Sequence, residues 1–329
     1  MGAISSIEWT DASWNPVRAR GDGKLGWHCE RVSPGCEHCY AERLNGRIGT
    51  GLKYTVPNRQ QVELFLDEKP LAAPLRWRKP RKIFPGSMSD LFADFVSDSW
   101  LYRIFAVAQL ASRHQFQFLT KRAKRAREFM SHPPTPERVE ANRIELQRWL
   151  EDHWTRAELL TCYAKSADEW DAIEAWPPKN VWLGVSCEDQ QRLDERVPEL
   201  LATTAAVRFV SAEPLLGPLH FDRVKFAHGF VEVNGGILPP LDWVIVGGES
   251  GPGARPMDIA WAREIVRQCR EAGVACFMKQ LGRFVLDGQV GTAPGVRVQS
   301  CERLQHPKGG DPSEWPPDLR VREFPEPRA

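Results

Sequence analysis

The sequence predicts an α/β fold built on a parallel sheet, either open or closed into a barrel. Apolar runs of strand length recur along the chain, each ending in small or polar residues. Amphipathic helical stretches separate most of them, and strands that alternate with helices imply parallel pairing through helical crossovers. A chain of 329 residues is also an ordinary length for an α/β barrel. At this length a folded chain buries roughly three quarters of its unfolded surface, so a core needs no disulfides.

Taken in order, residues 1–28 are tryptophan-rich (Trp9, Trp14, Trp27) with polar breaks, and they lead into a cysteine loop. Tyr40 to Ile48 reads as a short helix, and 53–80 is mixed and punctuated by proline. Strands are expected at Lys82–Pro85, Gln115–Leu119, Val181–Val185, Val207–Val210, Trp243–Val246 and Val274–Met278. Helices are expected at Ser99–Ser112, Lys124–Met130, Val197–Ala202 and Ile259–Ala272. Residues 131–178, bounded by Pro133-Pro134 and Pro177-Pro178, interrupt this rhythm with a charged, helical pattern and read as an insertion or lid. The expected organisation is a barrel-like body over 1–130 and 179–282, a helical insertion over 131–178, and a tail over 283–329 packed on the body. There is no internal repeat.

Composition narrows the function. The 44 Lys+Arg against 43 Asp+Glu give a formal charge of +1, which excludes a strongly basic nucleic-acid coat but leaves room for a local basic groove. Cys162, Cys187, Cys269, Cys276 and Cys301 are scattered, unlike a secreted disulfide scaffold. No apolar run approaches the roughly 18–20 residues of a membrane span, and no charged-then-apolar leader opens the sequence. The first six residues fit only a loose myristoylation pattern. The expected compartment is the reducing cytoplasm, with no membrane partner.

Chemistry concentrates in the run Cys29-Glu-Arg-Val-Ser-Pro-Gly-Cys36-Glu-His-Cys39-Tyr40. The spacing is C-x6-C-x2-C. The final C-x2-C places two sulfurs within reach of one metal or cluster, and Pro34-Gly35 supplies a tight turn that brings Cys29 round. Three thiolates with no obvious fourth hold a metal and leave a coordination position vacant, whereas a structural site is normally closed. The alternative is structural zinc with His28 or His38 as fourth ligand. His28 adjoins Cys29, which makes shared coordination awkward, and His38 between two ligands would tend to point away.

Functional groups in a parallel α/β fold lie where strands end. Those ends read Gly86-Ser-Met-Ser-Asp90, Thr120-Lys-Arg122, Ser186-Cys-Glu-Asp189, Ser211-Ala-Glu-Pro214, Gly247-Gly-Glu-Ser-Gly251 and Lys279-Gln280. Together they predict a polar active-site mouth. The Lys121 ammonium could neutralise a carboxylate or phosphate; Arg125 and Arg127 suit a solvated helix face, and the rest of the run could contact a phosphate backbone. Glu213 and Glu249 could face the mouth, or serve as helix caps or ion pairs at the sheet edge. The glycines of 247–253 could form an anion nest or a tight turn. There is no phosphate-binding P-loop motif. The aromatic N-terminus suits base stacking, or apolar packing around an iron–sulfur site.

The cysteine loop and the strand ends after it resemble the radical S-adenosylmethionine (SAM) superfamily. More closely, the runs Ile7–Pro16, Val32–Ala41, Val181–Val185 and Val246–Pro252 are similar to a phage-associated family with a three-Cys motif. In the spore-photoproduct-lyase-like branch of the superfamily the second strand ends in Ser/Thr-Asp and the third in Thr-Lys, as Ser89-Asp90 and Thr120-Lys121 do here. The resemblance implies a partial (β/α)6 TIM-type barrel with a 4Fe–4S cluster on Cys29, Cys36 and Cys39. It implies SAM held at Lys121 and the nearby strand-end groups Ser89, Asp90 and Thr120, an external electron donor of flavodoxin or ferredoxin type, and production of a 5′-deoxyadenosyl radical. Glu213 and Glu249 join them as cofactor-site candidates from their strand-end positions alone, because the Gly247-Gly248-Glu249 run lies on a late strand and does not take the role of the superfamily's Gly-Gly-Glu. A nucleic-acid or nucleobase substrate is the expected class. Two features depart from the superfamily pattern: the first cysteine gap is six rather than three, and His38 replaces the usual aromatic residue. The rival reading is a non-catalytic, zinc-binding phage accessory or nucleic-acid-binding protein.

Overall fold

The computed structural model of the chain describes residues 5–155, 176–226, 229–230, 241–290 and 297–326. Its main sheet has seven strands: β1 (Ala12–Trp14), β2 (Lys82–Pro85), β3 (Gln115–Thr120), β4 (Val181–Ser186), β5 (Val207–Ala212), β6 (Trp243–Gly247) and β7 (Ala275–Gln280). Their order across the sheet is their order along the chain. A doubly wound sheet reverses direction at a switch point, whereas successive order is that of (β/α)-barrel strands. The registers β1/β2, β2/β3, β5/β6 and β6/β7 are parallel. The mixed α/β class with a parallel sheet is therefore as the sequence predicts, and the topology is compatible with a partial TIM-type barrel.

Among the described residues six helices are long enough to matter here: α1 (Tyr40–Ile48), α2 (Asp98–Leu110), α3 (Ala123–Met130), α4 (Pro136–His153), α5 (Gln190–Leu201) and α6 (Ile259–Ala272). Four begin at side-chain caps: Ser97, Thr135, Asp189 and Asp258 each accept a hydrogen bond from a first-turn backbone N–H. Such a cap satisfies a donor the helix itself cannot. Among the described residues no helix is long and apolar enough to cross a membrane.

By contacts the chain divides into two compact units. The first comprises Met1–Arg31, Ala41–Leu183 and Thr203–Ala206. Its core is aromatic: Trp9 lies 4.8 Å from Phe84, Trp14 lies 5.4 Å from Phe116, and Phe105 stacks on Phe118 at 4.6 Å. Helix α4, within the expected insertion, buries Leu146 and Leu150, and Trp154 just beyond it is buried under Arg76. Trp176 packs on Phe105 and Phe129. The described part of 131–178 thus adds to this core; residues 156–175, with Cys162, lie outside the described residues. A small antiparallel sheet, Lys24–Gly26 beside Val17–Gly21 beside Glu63–Leu66, completes the unit.

The second unit comprises Val32–Tyr40, Gly184–Ala202 and Val207–Ala329. Phe209, Trp243 and Phe277 form its core, with Phe324 from the tail 5.3 Å from Trp243. The tail is stitched to β7: Met278 N donates to Val321 O, and Glu323 N to Cys276 O. Strands Phe284–Val290 and Arg297–Arg303 pair as a hairpin that extends the edge strand Met257–Asp258. Trp315 and Leu319 are buried.

Candidate functional site

In the first unit, the turn after β2 and the end of β3 meet through Asp90. Its Oδ1 accepts from the Thr120 hydroxyl at 2.7 Å and from Phe92 N at 3.0 Å. Its Oδ2 accepts from Lys121 N at 3.0 Å and from Arg122 Nη1 at 3.1 Å. Both partners of the Asp90–Arg122 ion pair are about nine-tenths buried. Burial opposes the Arg122 charge, but Asp90, and then Cys29, outweigh it and hold the guanidinium above its ordinary pKa. Asn15, just after β1, fixes the same turn by accepting from Met88 N at 2.9 Å.

These strand ends reach the first cysteine. The Ser89 hydroxyl donates to the His28 carbonyl at 2.7 Å, and Arg122 Nη2 donates to the Glu30 carbonyl at 3.3 Å. The carbonyls on both sides of Cys29 are therefore held, and its peptide cannot turn freely. A cation beside the thiol favours the thiolate that a metal or cluster requires. His28 is buried beside Tyr54 and Phe95, and desolvation, helped by Arg59, lowers its pKa to about 4, so the imidazole is neutral. Its Nε2 is buried without a hydrogen-bond partner, 3.8 Å from a Glu30 oxygen.

In the second unit, the turn carrying Cys36 is gripped twice. Glu188 is fully buried; one carboxylate oxygen accepts from Gly35 N at 3.0 Å and the other from Arg196 at 3.0 Å. Arg255 donates to the Pro34 carbonyl at 3.0 Å and to Glu37 at 3.1 Å. The same guanidinium makes a two-point pair with Glu249 at 2.6 and 2.9 Å. Burial would raise the Glu249 carboxyl, but hydrogen bonds from Arg255, with its charge and that of His38, hold it below the usual range. Beyond β5, Glu213 accepts from Ser211 at 3.1 Å and pairs with Lys279 of β7 at 2.8 Å. That pair lies against Gly247 at the end of β6, where a Cβ would stand 2.5 Å from a Glu213 oxygen.

A family model matches residues 4–309. It describes proteins of unknown function, DUF5131. The chain belongs to that family. No curated protein and no solved structure matches it.

In this DUF5131 chain each expected site residue has a definite place. Asp90 and Thr120 bond to each other, Ser89 bonds to the cysteine segment, and the Lys121 side chain is half-buried at the end of β3. Glu213 and Glu249 take the ion-pair option, with Lys279 and Arg255. Cys29, Cys36 and Cys39 form no disulfide and are half-buried. Among the described residues no group of three or more His, Cys, Asp or Glu side chains is gathered as a metal-holding set. The donor chemistry nevertheless fits a cluster: three cysteines outside any disulfide, one beside a cation, on segments held by their backbone. Sequence reasoning placed Arg122, Glu188 and Lys279 at strand ends of the predicted mouth without giving them a role, and missed Arg255. The signal that could have found them is charge balance, because each carboxylate at a strand end requires a cation once buried.

Proposed function

We propose that this DUF5131 chain is an iron–sulfur enzyme of the radical SAM type. Cys29, Cys36 and Cys39 would hold a 4Fe–4S cluster, and SAM would complete the site. The observation that carries this reading is positional. The cysteines follow β1, the first strand of a parallel sheet laid down in chain order. That is where the superfamily carries its cluster loop.

When bound, the cluster would supply the electron for cleaving a SAM carbon–sulfur bond. The chain's own residues would do the rest. Ser89 and Arg122 hold the peptides around Cys29, and Glu188 and Arg255 hold the turn at Cys36. Lys121, at the end of β3, is the residue we assign to the SAM carboxylate. A preorganised loop would bind the cluster without first ordering its ligands, which is how fixed outer contacts raise metal affinity.

A second reading is favoured by one observation. The neutral, buried His28 Nε2 without a hydrogen-bond partner suits a zinc ligand. Anaerobic reconstitution with iron and sulfide separates the two. The proposal predicts a brown protein with about four irons and four sulfides per chain, lost in Cys29→Ala, Cys36→Ala or Cys39→Ala. A colourless protein holding about one zinc per chain would favour the second reading.

A further inference from the structure

Within the first unit the aromatic N-terminal region also builds a surface of its own. Residues alternate across strand Val17–Gly21, so Arg18 and Arg20 point to one face of the small sheet. Leu25 lies opposite Arg20 in register, and Phe65 lies opposite Arg18. The Arg18 guanidinium sits 4.5 Å above the ring of Trp27, and that of Arg20 sits 4.8 Å above Phe65. Trp27 and Phe65 are both partly exposed, and Leu25 is 44% exposed. Glu63 pairs with Arg20 at 3.0 Å, and the charge of Asp67 acts on Arg18.

The charge continues beyond the sheet. Residues 43–62 contain Arg43, Arg47, Lys53 and Arg59 and no Asp or Glu, in a chain whose charges otherwise balance. Arg43 and Arg47 are one helical turn apart on α1 and exposed, as is Lys53. Arg59 lies 5.9 Å over Phe95, making a third arginine–aromatic pair. This segment is fixed to the sheet. Asn45 Oδ1 accepts from Trp27 N at 2.9 Å, its amide donates to Thr50 at 2.8 Å, and a Cβ on Gly26 would stand 2.4 Å from Thr50 N.

We propose that this face is a docking platform for single-stranded nucleic acid. Guanidinium planes laid on aromatic rings offer flat, cationic surfaces on which bases stack, and the acid-free segment beside them tracks a phosphate backbone. Unpaired bases are the part of a polyanion that such planes recognise. A duplex, with its bases already stacked, gains only the charge term.

The test is fluorescence anisotropy with labelled 20-mers of single-stranded DNA, single-stranded RNA and duplex DNA on the full chain, without cluster or SAM, so its result does not depend on the proposed chemistry. Single strands should bind more tightly than duplex. With about four phosphate contacts, log K should fall against log salt with a slope of about −3. The Arg18→Ala/Arg20→Ala variant should bind about tenfold more weakly at an unchanged melting temperature, and Arg43→Glu/Arg47→Glu should flatten the salt slope by about one to two. The DNA and RNA arms report which polymer is preferred. Binding equal to that of duplex or heparin, no binding of either single strand at low salt, or full affinity in both folded variants would overturn the proposal.

Discussion

Ser89 donates its hydroxyl proton to the carbonyl of His28 at 2.7 Å, one peptide bond before Cys29. Arg122 holds the next carbonyl, that of Glu30, at 3.3 Å. Ser89, expected from the sequence to hold a cofactor, thus also fixes the backbone of the first cysteine, and Arg122 shares that task. Ser89→Ala should cost about 1 kcal/mol and leave a folded protein. Mass-mapped alkylation should show faster modification of Cys29 in this variant, with Cys269 unchanged. Unaltered Cys29 reactivity would mean that the hydroxyl does not restrain the loop.

The Asp90–Arg122 pair is a sharper case. Arg122→Ala would leave the Asp90 carboxylate nine-tenths buried without its cation, a change that costs on the order of 3–5 kcal/mol. Adding Asp90→Asn should recover part of that loss, because the uncompensated charge goes with it. Denaturant melts of the two single variants and the double variant measure the coupling. Additive effects would show that the pair does not act as a unit.

Two adjacent glycines should behave differently. A Cβ on Gly247 would meet the end of the Glu213 side chain at 2.5 Å, and that chain can swing away. A Cβ on Gly248 would meet the Leu281 carbonyl oxygen at 2.2 Å, which is backbone. Gly247→Ala should cost about 1–2 kcal/mol by displacing Glu213 from Lys279, whereas Gly248→Ala should exceed about 3 kcal/mol. Equal losses in calorimetry would contradict these contacts.

The fold should also respond to pH through His114. This side chain is fully buried, 3.1 Å from the Pro74 carbonyl oxygen; burial, and then Arg113, lower its pKa to about 4. The unfolded chain takes up this proton near pH 6.5, so between about pH 6.5 and 4 the unfolded state binds more protons. The contribution is complete above about pH 6.5 and is lost as the pH falls towards 4. Its size is on the order of 3 kcal/mol. His114→Gln should be less stable at pH 7.5 yet show a flatter fall in melting temperature across this window. An unchanged slope would remove His114 as the cause.

The sheet was largely legible because its strands are apolar runs, and six of the seven were predicted. The exception, β1, is three residues long and contains Ser13, so it forms no run. Several strands continue one or two residues past their apolar stretch, to Thr120, Ser186, Ala212 and Gln280, because backbone pairing at a strand end does not depend on side-chain polarity. Helix α5 starts at Gln190 rather than Val197, behind the Asp189 cap, with a polar first turn that hides its period. The contacts around the cysteines could not be read. Ser89 is 61 residues from its partner and Arg122 is 92 residues from its own. Neither pairing leaves a local pattern.

The central claim is that three cysteines in this DUF5131 chain support reductive cleavage of SAM. The direct measurement incubates the anaerobically reconstituted protein with SAM and dithionite and quantifies 5′-deoxyadenosine by mass spectrometry. The account predicts its formation by the wild type, its loss in Cys36→Ala, and a higher SAM requirement in Lys121→Ala, since a charge-assisted hydrogen bond contributes about 1.5–3 kcal/mol. A cluster-loaded wild type that forms no 5′-deoxyadenosine, or forms as much as Cys36→Ala, would contradict it.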